Sequence, residues 1–283
     1  MTRIASPAPA HEGPIRLDLE AQLVETPFLT NAVAVCRAAL DAGGIVAIDG
    51  PPGTGKTTGA RIIANVSRRE PVIVRMTDRP APLDMLRYIV GQVGKLDRFK
   101  PAVDDFLQHH RNPRGYQMQE LIKALFTDWG GLLIIDELQY TAINSMQELV
   151  WLYEETYRSF GLVIAGHGVH EAVQKYPQLA TRLMTVVEFA PLTGQVLLDT
   201  VRGLDHRFSS SGASVILRHD NAFSRGLLRN WIMTIRWLNK HGVTRTIRHA
   251  DLDEVRKVLP ASLDGNTTPP PSQPKRPGRT RSR

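Results

Sequence analysis

The segment Gly50–Thr57 has the residue types and spacing of a loop that binds phosphate. It fits the pattern G-x-x-x-x-G-K-[ST] and lies between a short apolar run, Ile45–Ile48, and a stretch with helical spacing, Thr57–Ser67. Glycines let the backbone curl so that successive N–H groups point at phosphate oxygens, and the start of a helix adds a favourable dipole. This context argues against a chance glycine-proline loop. The predicted phosphate-binding residues are Gly50, Pro51, Pro52, Gly53, Thr54, Gly55, Lys56, Thr57 and Thr58.

Two side chains at the end of this loop have the chemistry that a bound nucleotide requires. The ammonium group of Lys56 can reach the β- and γ-phosphates, and the hydroxyl of Thr57 is a suitable ligand for Mg²⁺. We therefore expect ATP and Mg²⁺ as ligands. Lys56 is also a candidate catalytic residue, and Thr57 is a candidate metal ligand.

A pair of carboxylates follows a second apolar run further along the chain. Leu132–Ile135 is typical of a buried central strand, and Asp136 and Glu137 come directly after it. Ligands of open α/β sheets bind at the carboxyl ends of strands, so Asp136 is predicted to face the Mg²⁺ and Glu137 to polarise the attacking water. The two carboxylates can also simply cap the next helix, but their pairing with the phosphate loop favours the catalytic interpretation. Glu137 indicates hydrolysis rather than binding alone.

Apolar runs and amphipathic segments alternate through most of the chain. Alternation of this kind predicts an α/β fold with a parallel sheet between helices, followed here by a smaller helical domain. The expected parts are a flexible N-terminus over 1–15, a nucleotide-binding domain over 16–191, a helical domain over 192–260 and a disordered basic, proline-rich tail over 261–283. Strands are predicted at 45–48, 72–74, 132–135, 162–165 and 186–189, and helices at 29–42, 57–67, 83–93, 117–127, 143–157, 193–209, 225–240 and 250–258.

The composition is that of a basic globular protein. Lys and Arg number 35 against 28 Asp and Glu, which gives a formal net charge of +7, and 42% of the residues are hydrophobic. The one cysteine, Cys36, excludes an intramolecular disulfide and a zinc site built from several cysteines. It also favours a reducing, cytoplasmic compartment. No apolar run approaches the roughly 20 residues of a spanning helix, so we expect no membrane partner.

The phosphate loop, the acidic pair and the helical segment that follows resemble those of AAA+ ATPases, over about residues 28–258. In that family a polar sensor residue ends the fourth strand, and His167 stands at that position here. The family usually has Asn, Ser or Thr, so His167 departs from the pattern. A contact with the γ-phosphate region, as a catalytic residue, and a simple role in the turn are equally compatible with the sequence.

The same resemblance implies two functional arginines. Arg182, within Gln178–Leu183, resembles the arginine finger that stabilises transition-state charge in the neighbouring subunit, and a surface arginine is the alternative. Ser224–Arg229 resembles the segment that opens the lid helix with a second nucleotide sensor. Arg229 is preferred to Arg225 for that role, although a solvated helix face is equally compatible with either arginine.

Basic residues cluster between the second and third predicted strands, with aromatic residues interleaved. A basic channel would hold the phosphate backbone of DNA without reading its sequence. Asp97, Asp104 and Asp105 lie in the same stretch, so a solvated charged face is the alternative. The candidate contacts with duplex DNA are Arg75, Arg79, Lys95, Arg98, Lys100, Arg111 and Arg114.

Within the AAA+ ATPases, the arrangement resembles the transposition ATPases of the MuB, TnsC and TniB type. The stretches that carry this likeness are Gly50–Thr57, Leu132–Tyr140, and Gly166–Gly168 followed by Pro177–Leu183. The resemblance implies assembly with ATP into a ring or helical filament on duplex DNA, recruitment or stimulation of a transposase, and disassembly on hydrolysis. A replication ATPase that loads a helicase and a nucleotide-gated switch that binds another protein, without DNA, are the alternatives.

Overall fold

Five parallel strands form one sheet in the order β2-β3-β4-β1-β5. The structure is a computed structural model that describes residues 27–76, 81–127, 129–141 and 143–259. The strands are β1 (Ile45–Asp49), β2 (Pro71–Arg75), β3 (Leu132–Asp136), β4 (Gly161–Gly166) and β5 (Leu183–Glu188). All four strand pairings are parallel, so the carboxyl ends of the strands meet at one edge of the sheet.

Helices cover both faces of this sheet, as the alternating pattern predicted. The α-helices before β5 are α1 (Pro27–Asp41), α2 (Lys56–Val66), α3 (Pro82–Val93), α4 (Lys100–His109), α5 (Gly115–Phe126), α6 (Ile143–Glu155), α7 (Val169–Gln174) and α8 (Pro177–Ala180). Successive strand residues point to opposite faces. Accordingly, Val46 and Ile48 pack with α1 and α2, while Ile45 and Ala47 join the core formed with α3, α5 and α6.

The part of the chain after β5 is helical and has its own apolar core. Its α-helices are α9 (Gly194–Leu204), α10 (Ala213–His219), α11 (Leu228–Lys240) and α12 (His249–Val258). Trp231 of α11 is fully buried in this core, against Phe208 with ring centroids 5.7 Å apart. A short 3₁₀ turn, His206–Phe208, and a π-helical turn, Asp220–Ser224, connect the helices.

The parallel sheet between helices and the helical C-terminal part confirm the predicted fold class. The strands at 45–48, 72–74, 132–135 and 162–165 match β1 to β4 closely, whereas β5 begins at Leu183, before the predicted 186. Four helices, α4, α7, α8 and α10, lie where no helix was predicted. These four have at most ten residues, and short helices carry a weak periodic signal.

The predicted helix over 193–209 was too long, because α9 ends at Leu204. The carboxylate of Asp205 accepts a hydrogen bond from the backbone N–H of Arg207 at 2.9 Å, which starts the 3₁₀ turn in place of a further helical turn. The predicted helix over 225–240 begins instead at Leu228, because Arg225 and Gly226 have φ values of 49° and 73° that no α-helix accommodates.

Several expectations lie outside the described residues, namely the flexible N-terminus over 1–15, the basic tail over 261–283 and Arg79 as a DNA contact. Among the residues that are described, no helix has both the length and the apolar character needed to cross a membrane.

Candidate nucleotide site

The order of the strands brings the phosphate loop, the acidic pair and His167 to one edge of the sheet. β1 leads into the phosphate loop and β3 leads into the acidic pair, while β4 lies between β1 and β3. The backbone register places Asp49 of β1 beside Gly166 of β4. His167 therefore follows β4 at a point between the phosphate loop and Asp136.

The phosphate loop has a conformation that depends on glycine. Gly50, Gly53 and Gly55 have φ values of 148°, 88° and 100°, which side-chain-bearing residues rarely adopt. A Cβ at Gly50 would also collide with the backbone carbonyl of Phe189. Substitution at Gly50 would therefore strain the loop in two ways, through its backbone angle and through this contact.

Asp49 ties the phosphate loop to the segment after β4. Its Oδ1 accepts hydrogen bonds from the backbone N–H of Gly50 at 2.6 Å and of Gly168 at 2.8 Å. Its Oδ2 accepts one from the backbone N–H of His170 at 2.9 Å. These three bonds therefore hold the first residue of the loop beside the segment after β4.

Lys56 is buried inside the loop. Its Nζ donates to the carbonyl oxygens of Gly50 at 2.7 Å and Pro51 at 2.8 Å. Burial lowers the pKa of Lys56, and nearby carboxylates oppose that shift. A buried ammonium group that is held by neutral carbonyls gains from an anionic ligand, so the loop fits a phosphate group.

Thr57 and Asp136 lie together, as a shared metal site requires. The hydroxyl of Thr57 donates to Oδ2 of Asp136 at 2.9 Å, and Asp136 is 2% exposed. Within the described residues no group of three or more His, Cys, Asp or Glu side chains is arranged to hold a metal ion. Mg²⁺ needs fewer protein ligands, since it commonly takes one or two carboxylates and completes its shell with water and substrate phosphates. A hydroxyl and a carboxylate beside a phosphate loop fit that requirement.

Glu137 has both carboxylate oxygens bound to other side chains. Oε1 lies 3.3 Å from a guanidinium nitrogen of Arg75, and Oε2 accepts a hydrogen bond from Nε2 of Gln139 at 2.5 Å. The backbone of Glu137 is left-handed, with φ of 61°, and its N–H donates to Oδ1 of Asp136 at 3.0 Å. This conformation turns the chain after β3 and directs the carboxylate toward the end of β2.

His167 and Arg229 both contact the phosphate loop. His167 Nδ1 lies 3.2 Å from the carbonyl oxygen of Gly50. The backbone N–H of Arg229, at the start of α11, donates to the carbonyl oxygen of Gly53 at 3.1 Å. Arg225 lies in the left-handed turn that precedes α11. The structure thus places the backbone of Arg229 against the loop, and the role of its side chain as the nucleotide contact remains a prediction.

Arg182 lies at the other edge of the sheet, directly before β5. Its Nε forms an ion pair with Oε1 of Glu154 in α6, and a second guanidinium nitrogen donates to the carbonyl oxygen of Gln178. The hydrogen bond from Arg182 holds the pKa of Glu154 below its ordinary value. Because the phosphate loop follows the carboxyl end of β1, Arg182 stands at the edge opposite its own chain's phosphate site.

Known proteins give two kinds of match. A family model described as an AAA domain matches residues 39–174. Among solved structures, Cdc6p of Pyrobaculum aerophilum has a TM-score of 0.59 and 14% identity over 78% of this chain. Orc1 of Aeropyrum pernix, solved in complex with DNA, has a TM-score of 0.58 and 13% identity over 82% of this chain. This chain spans 65% of the length of each of these two proteins.

The RuvB Holliday junction branch migration motor of Thermotoga maritima has a TM-score of 0.52 and 18% identity, over 83% of this chain and 70% of the motor. No curated protein sequence matches. The chain has the AAA+ P-loop NTPase fold. At these identities the likeness to the solved structures is one of fold, and the roles of individual residues are proposals.

Among the described basic residues predicted to contact DNA, Arg75 and Arg98 lie apart on this AAA+ fold. Arg75 ends β2 beside Glu137, whereas Arg98 lies 3.9 Å from Glu70, which precedes β2. These two arginines are therefore at opposite ends of the strand. Lys100 pairs with Asp104 at 2.6 Å, and Lys95 donates to Gln92 at 2.9 Å, while Arg111 and Arg114 are exposed.

Sequence reasoning missed three features of the site: the bonds of Asp49, the bridging position of Gln139 and the ion pair of Arg75 with Glu137. Asp49 has a detectable signal, because it is a carboxylate at the end of a buried apolar run, as Asp136 is. Gln139 and the Arg75 ion pair have no such signal, since their contacts depend on which strands become neighbours.

A cavity of about 600 Å³ lies between α9 and α11, away from this site. It is lined by Leu204, Ile232 and Ile235 among others, and by none of the site residues named above.

Proposed function

We propose that this chain is an ATPase of the AAA+ fold that assembles on duplex DNA and regulates a transposase. The observation that carries ATP hydrolysis is the convergence of Lys56, Thr57, Asp136 and Glu137 at one edge of the sheet. Lys56 would bind the β- and γ-phosphates, and Thr57 with Asp136 would hold Mg²⁺. When bound, Mg²⁺ supplies positive charge that balances the charge of the phosphates.

Glu137 is the proposed group that orients and deprotonates the attacking water. The water oxygen bonds to the γ-phosphorus, the bond from that phosphorus to the β,γ-bridging oxygen breaks, and ADP and phosphate leave with the water's protons shared between phosphate and solvent. Arg75 forms an ion pair with Oε1 of Glu137 in this structure, and the side chain of Arg75 is 64% exposed. Departure of this exposed arginine would free Oε1 of Glu137 to accept a hydrogen bond from the attacking water.

Assembly of several copies would complete the site. Arg182 stands away from its own phosphate loop, so as an arginine finger it acts on the nucleotide of a neighbouring subunit. Its ion pair with Glu154 holds it at this edge of the sheet. A homo-oligomer, as a ring or a helical filament, is therefore part of the proposal.

DNA binding has two kinds of support. The chain carries a formal net charge of +7, which favours a polyanionic partner. Two solved structures with this fold are described as a protein in complex with DNA and as a Holliday junction branch migration motor. Regulation of a transposase rests on the resemblance of the motif stretches to transposition ATPases, and helicase loading shares the same ATP motifs.

A second candidate is a nucleotide-gated switch that binds another protein. The specific observation in its favour is that Arg75, Arg98 and Lys100 each lie within 4 Å of a carboxylate of this chain. Paired cations contribute less to binding phosphate than free ones do, which weakens the interpretation of this stretch as a DNA channel.

The deciding experiment is fluorescence anisotropy of a labelled random-sequence duplex, titrated with the chain with and without ATP and Mg²⁺ at two salt concentrations. We expect cooperative binding that requires ATP and weakens steeply with salt. Lys56→Ala is the matched control, because it removes the ammonium group in the loop and should abolish the ATP dependence.

The outcomes separate the candidates. Preference for a single-strand competitor over the duplex would indicate helicase loading instead of transposition. Absence of binding in either nucleotide state, by a protein that hydrolyses ATP, would exclude the DNA proposal and leave the protein-directed switch. ATP-dependent binding that persists in Lys56→Ala would contradict the role of the phosphate loop.

A further inference from the structure

The side chain of Gln139 occupies a space beside Gly166, at the end of β4, that a larger residue at position 166 would fill. It follows β3 in the turn Leu138–Tyr140, and its amide extends across to the end of β4. A Cβ on Gly166, the last residue of β4, would collide with Oε1 of Gln139. Only glycine at position 166 therefore leaves room for the amide between the two strands.

Both ends of the Gln139 amide are bound, so its orientation is fixed. Nε2 donates to Oε2 of Glu137 at 2.5 Å, and Oε1 accepts from the backbone N–H of His167 at 3.0 Å. A carboxylate at position 139 would lack the donor, and an apolar side chain would lack both groups. Gln is thus the side chain that satisfies these two neighbours at once.

These bonds connect the two sides of the phosphate site. Glu137 follows β3, and His167 follows β4 and contacts the carbonyl oxygen of Gly50 through its ring. That same carbonyl oxygen accepts from Lys56 Nζ. Asp136 joins the backbone N–H of Glu137 to the hydroxyl of Thr57. Gln139 adds a link from the carboxylate proposed to activate water to the loop proposed to bind the phosphates.

We infer that Gln139 is a positioning residue that fixes the Glu137 carboxylate relative to the phosphate loop during hydrolysis. This inference rests on the proposed ATPase function and specifies how its water-activating residue is held. Arg75 binds the other oxygen of Glu137 but is mostly exposed and can leave, whereas Gln139 is partly buried and held at both ends. When Arg75 leaves, the bond from Gln139 keeps the carboxylate in place.

The first test compares steady-state ATP hydrolysis by Gln139→Met and Gln119→Met. Gln119 donates to Glu148 at 2.7 Å between α5 and α6, so its variant breaks a bond of the same kind outside the site. We expect Gln139→Met to lower kcat at least about tenfold, the effect of a lost hydrogen bond to a charged group. KM should change less than about twofold, and Gln119→Met should leave both values unchanged.

A second variant separates the two bonds. Gln139→Glu keeps an oxygen that accepts from His167 but places a carboxylate against Glu137, so we expect kcat to fall at least as far as in Gln139→Met. In the Glu137→Gln background, Gln139→Met should cause no further loss, because the residue acts through Glu137. Melting temperatures and binding of a fluorescent nucleotide show whether each variant is folded.

Two failures are distinguishable. If the wild-type chain does not hydrolyse ATP under any assembly condition, the proposed function fails and Gln139 has no reaction to support. If the wild type hydrolyses ATP and folded Gln139→Met retains its kcat, or loses as much again in the Glu137→Gln background, only the inference about Gln139 is overturned.

Discussion

The phosphate site and the helical C-terminal part both bury ionisable side chains, but they satisfy them differently. In the helical part, Arg207 binds Asp205, the carbonyl oxygen of Val243 and Asn239, so the charges are balanced within the chain. In the phosphate site, Lys56 binds neutral carbonyls and Glu137 binds an exposed arginine. The first arrangement stabilises a fold, while the second leaves charges that a ligand can bind.

The comparison predicts that substitutions at the phosphate edge change activity more than stability. Glu137→Gln should lower ATP turnover by about 10²–10⁴-fold, the usual contribution of a general base, while nucleotide binding is kept. The variant should also remain in its assembled state, because ATP is not consumed. Phosphate release and light scattering measure the two effects.

Glu120→Gln is the control for this prediction, since Glu120 is an exposed residue of α5. It should retain wild-type turnover. Turnover near the wild-type rate in Glu137→Gln itself would mean that another group activates the water. The phosphate site would then not differ from the helical part through the catalytic role of Glu137.

The helical part should show the opposite behaviour, with stability lost and chemistry kept. Arg207→Met leaves the buried Asp205 carboxylate without its cation, and breaking a buried pair in this way costs about 3–5 kcal/mol of unfolding free energy. Although burial alone would raise the pKa of Asp205, the bonds from Arg207 hold it below its ordinary value, so the variant loses a large favourable interaction. Urea unfolding followed by tryptophan fluorescence measures the loss.

Arg218→Met gives the matched comparison. Arg218 forms an exposed pair with Asp253 at 3.7 Å, and its loss should cost at most about 1 kcal/mol. Adding Asp205→Asn to Arg207→Met should recover part of the stability, because the uncompensated charge is then gone. Equal losses of unfolding free energy in Arg207→Met and Arg218→Met would show that burial of the Arg207 pair does not increase its contribution to stability.

The two regions also differ in how far the sequence predicts them. Gly50–Thr57 and the pair Asp136 and Glu137 are contiguous motifs, and the strands before them are short apolar runs, so the pattern predicted both strands and the position of each motif at a strand end. The Arg207 network joins residues up to 36 positions apart, and no local pattern specifies it. Asn239 in α11 and Val243 after it contact Arg207 through the packing of that helix.

Within the site itself, the bridge through Gln139 was not predicted, for the same reason. The bridge from Glu137 through Gln139 to His167 requires β3 and β4 to be neighbours, and the strand order is a property of the folded sheet. The roles of Arg182, His167, Arg229 and the DNA contacts remain predictions. Arg75 shows why: a basic residue after a strand was predicted to bind DNA, and in the fold it also lies against Glu137.

The pH dependence of stability gives a smaller test of the contrast. Burial lowers the pKa of His219 to about 4, with a further contribution from the nearby Arg256 and an opposing one from Asp253. The native state therefore holds His219 neutral, while the unfolded chain gains its proton near the ordinary pKa of about 6.5. Stability should fall as the pH drops from about 6.5 to 4, by roughly 1.4 kcal/mol per pH unit and about 3 kcal/mol in total.

His219→Gln should reduce this slope, because glutamine does not titrate and can still bond to Thr234, which lies 2.9 Å from His219 Nε2. The neighbouring Asp220, whose pKa is raised by burial, acts in the opposite direction, so the difference between the variant and the wild type is the quantity to compare. His206→Gln, at a side chain that is 90% exposed, should leave the slope unchanged. An unaltered slope in His219→Gln would assign the acid sensitivity to carboxylates elsewhere.

The smallest expected effect lies where the two regions meet, at the start of α11. Arg229 is exposed, but its backbone N–H binds Gly53 and its charge is close enough to oppose protonation of Lys56. Arg229→Ala should therefore weaken binding of a fluorescent ATP analogue by about fivefold, equivalent to about 1 kcal/mol for one exposed charge contact. The affinity for the ADP analogue should change less, because fewer phosphate charges are present.

Arg225→Ala is the matched control, because Arg225 lies four residues earlier, in the left-handed turn before α11. Its backbone N–H donates to the carbonyl oxygen of Asp220 and not to the phosphate loop. Its ATP affinity should equal that of the wild type. A loss in Arg225→Ala that matches or exceeds the loss in Arg229→Ala would reverse the assignment of the nucleotide contact. The bond from the backbone of Arg229 to Gly53 would then not identify the arginine whose side chain binds the nucleotide. The helical part would have to reach the bound phosphates through a different arrangement of α11.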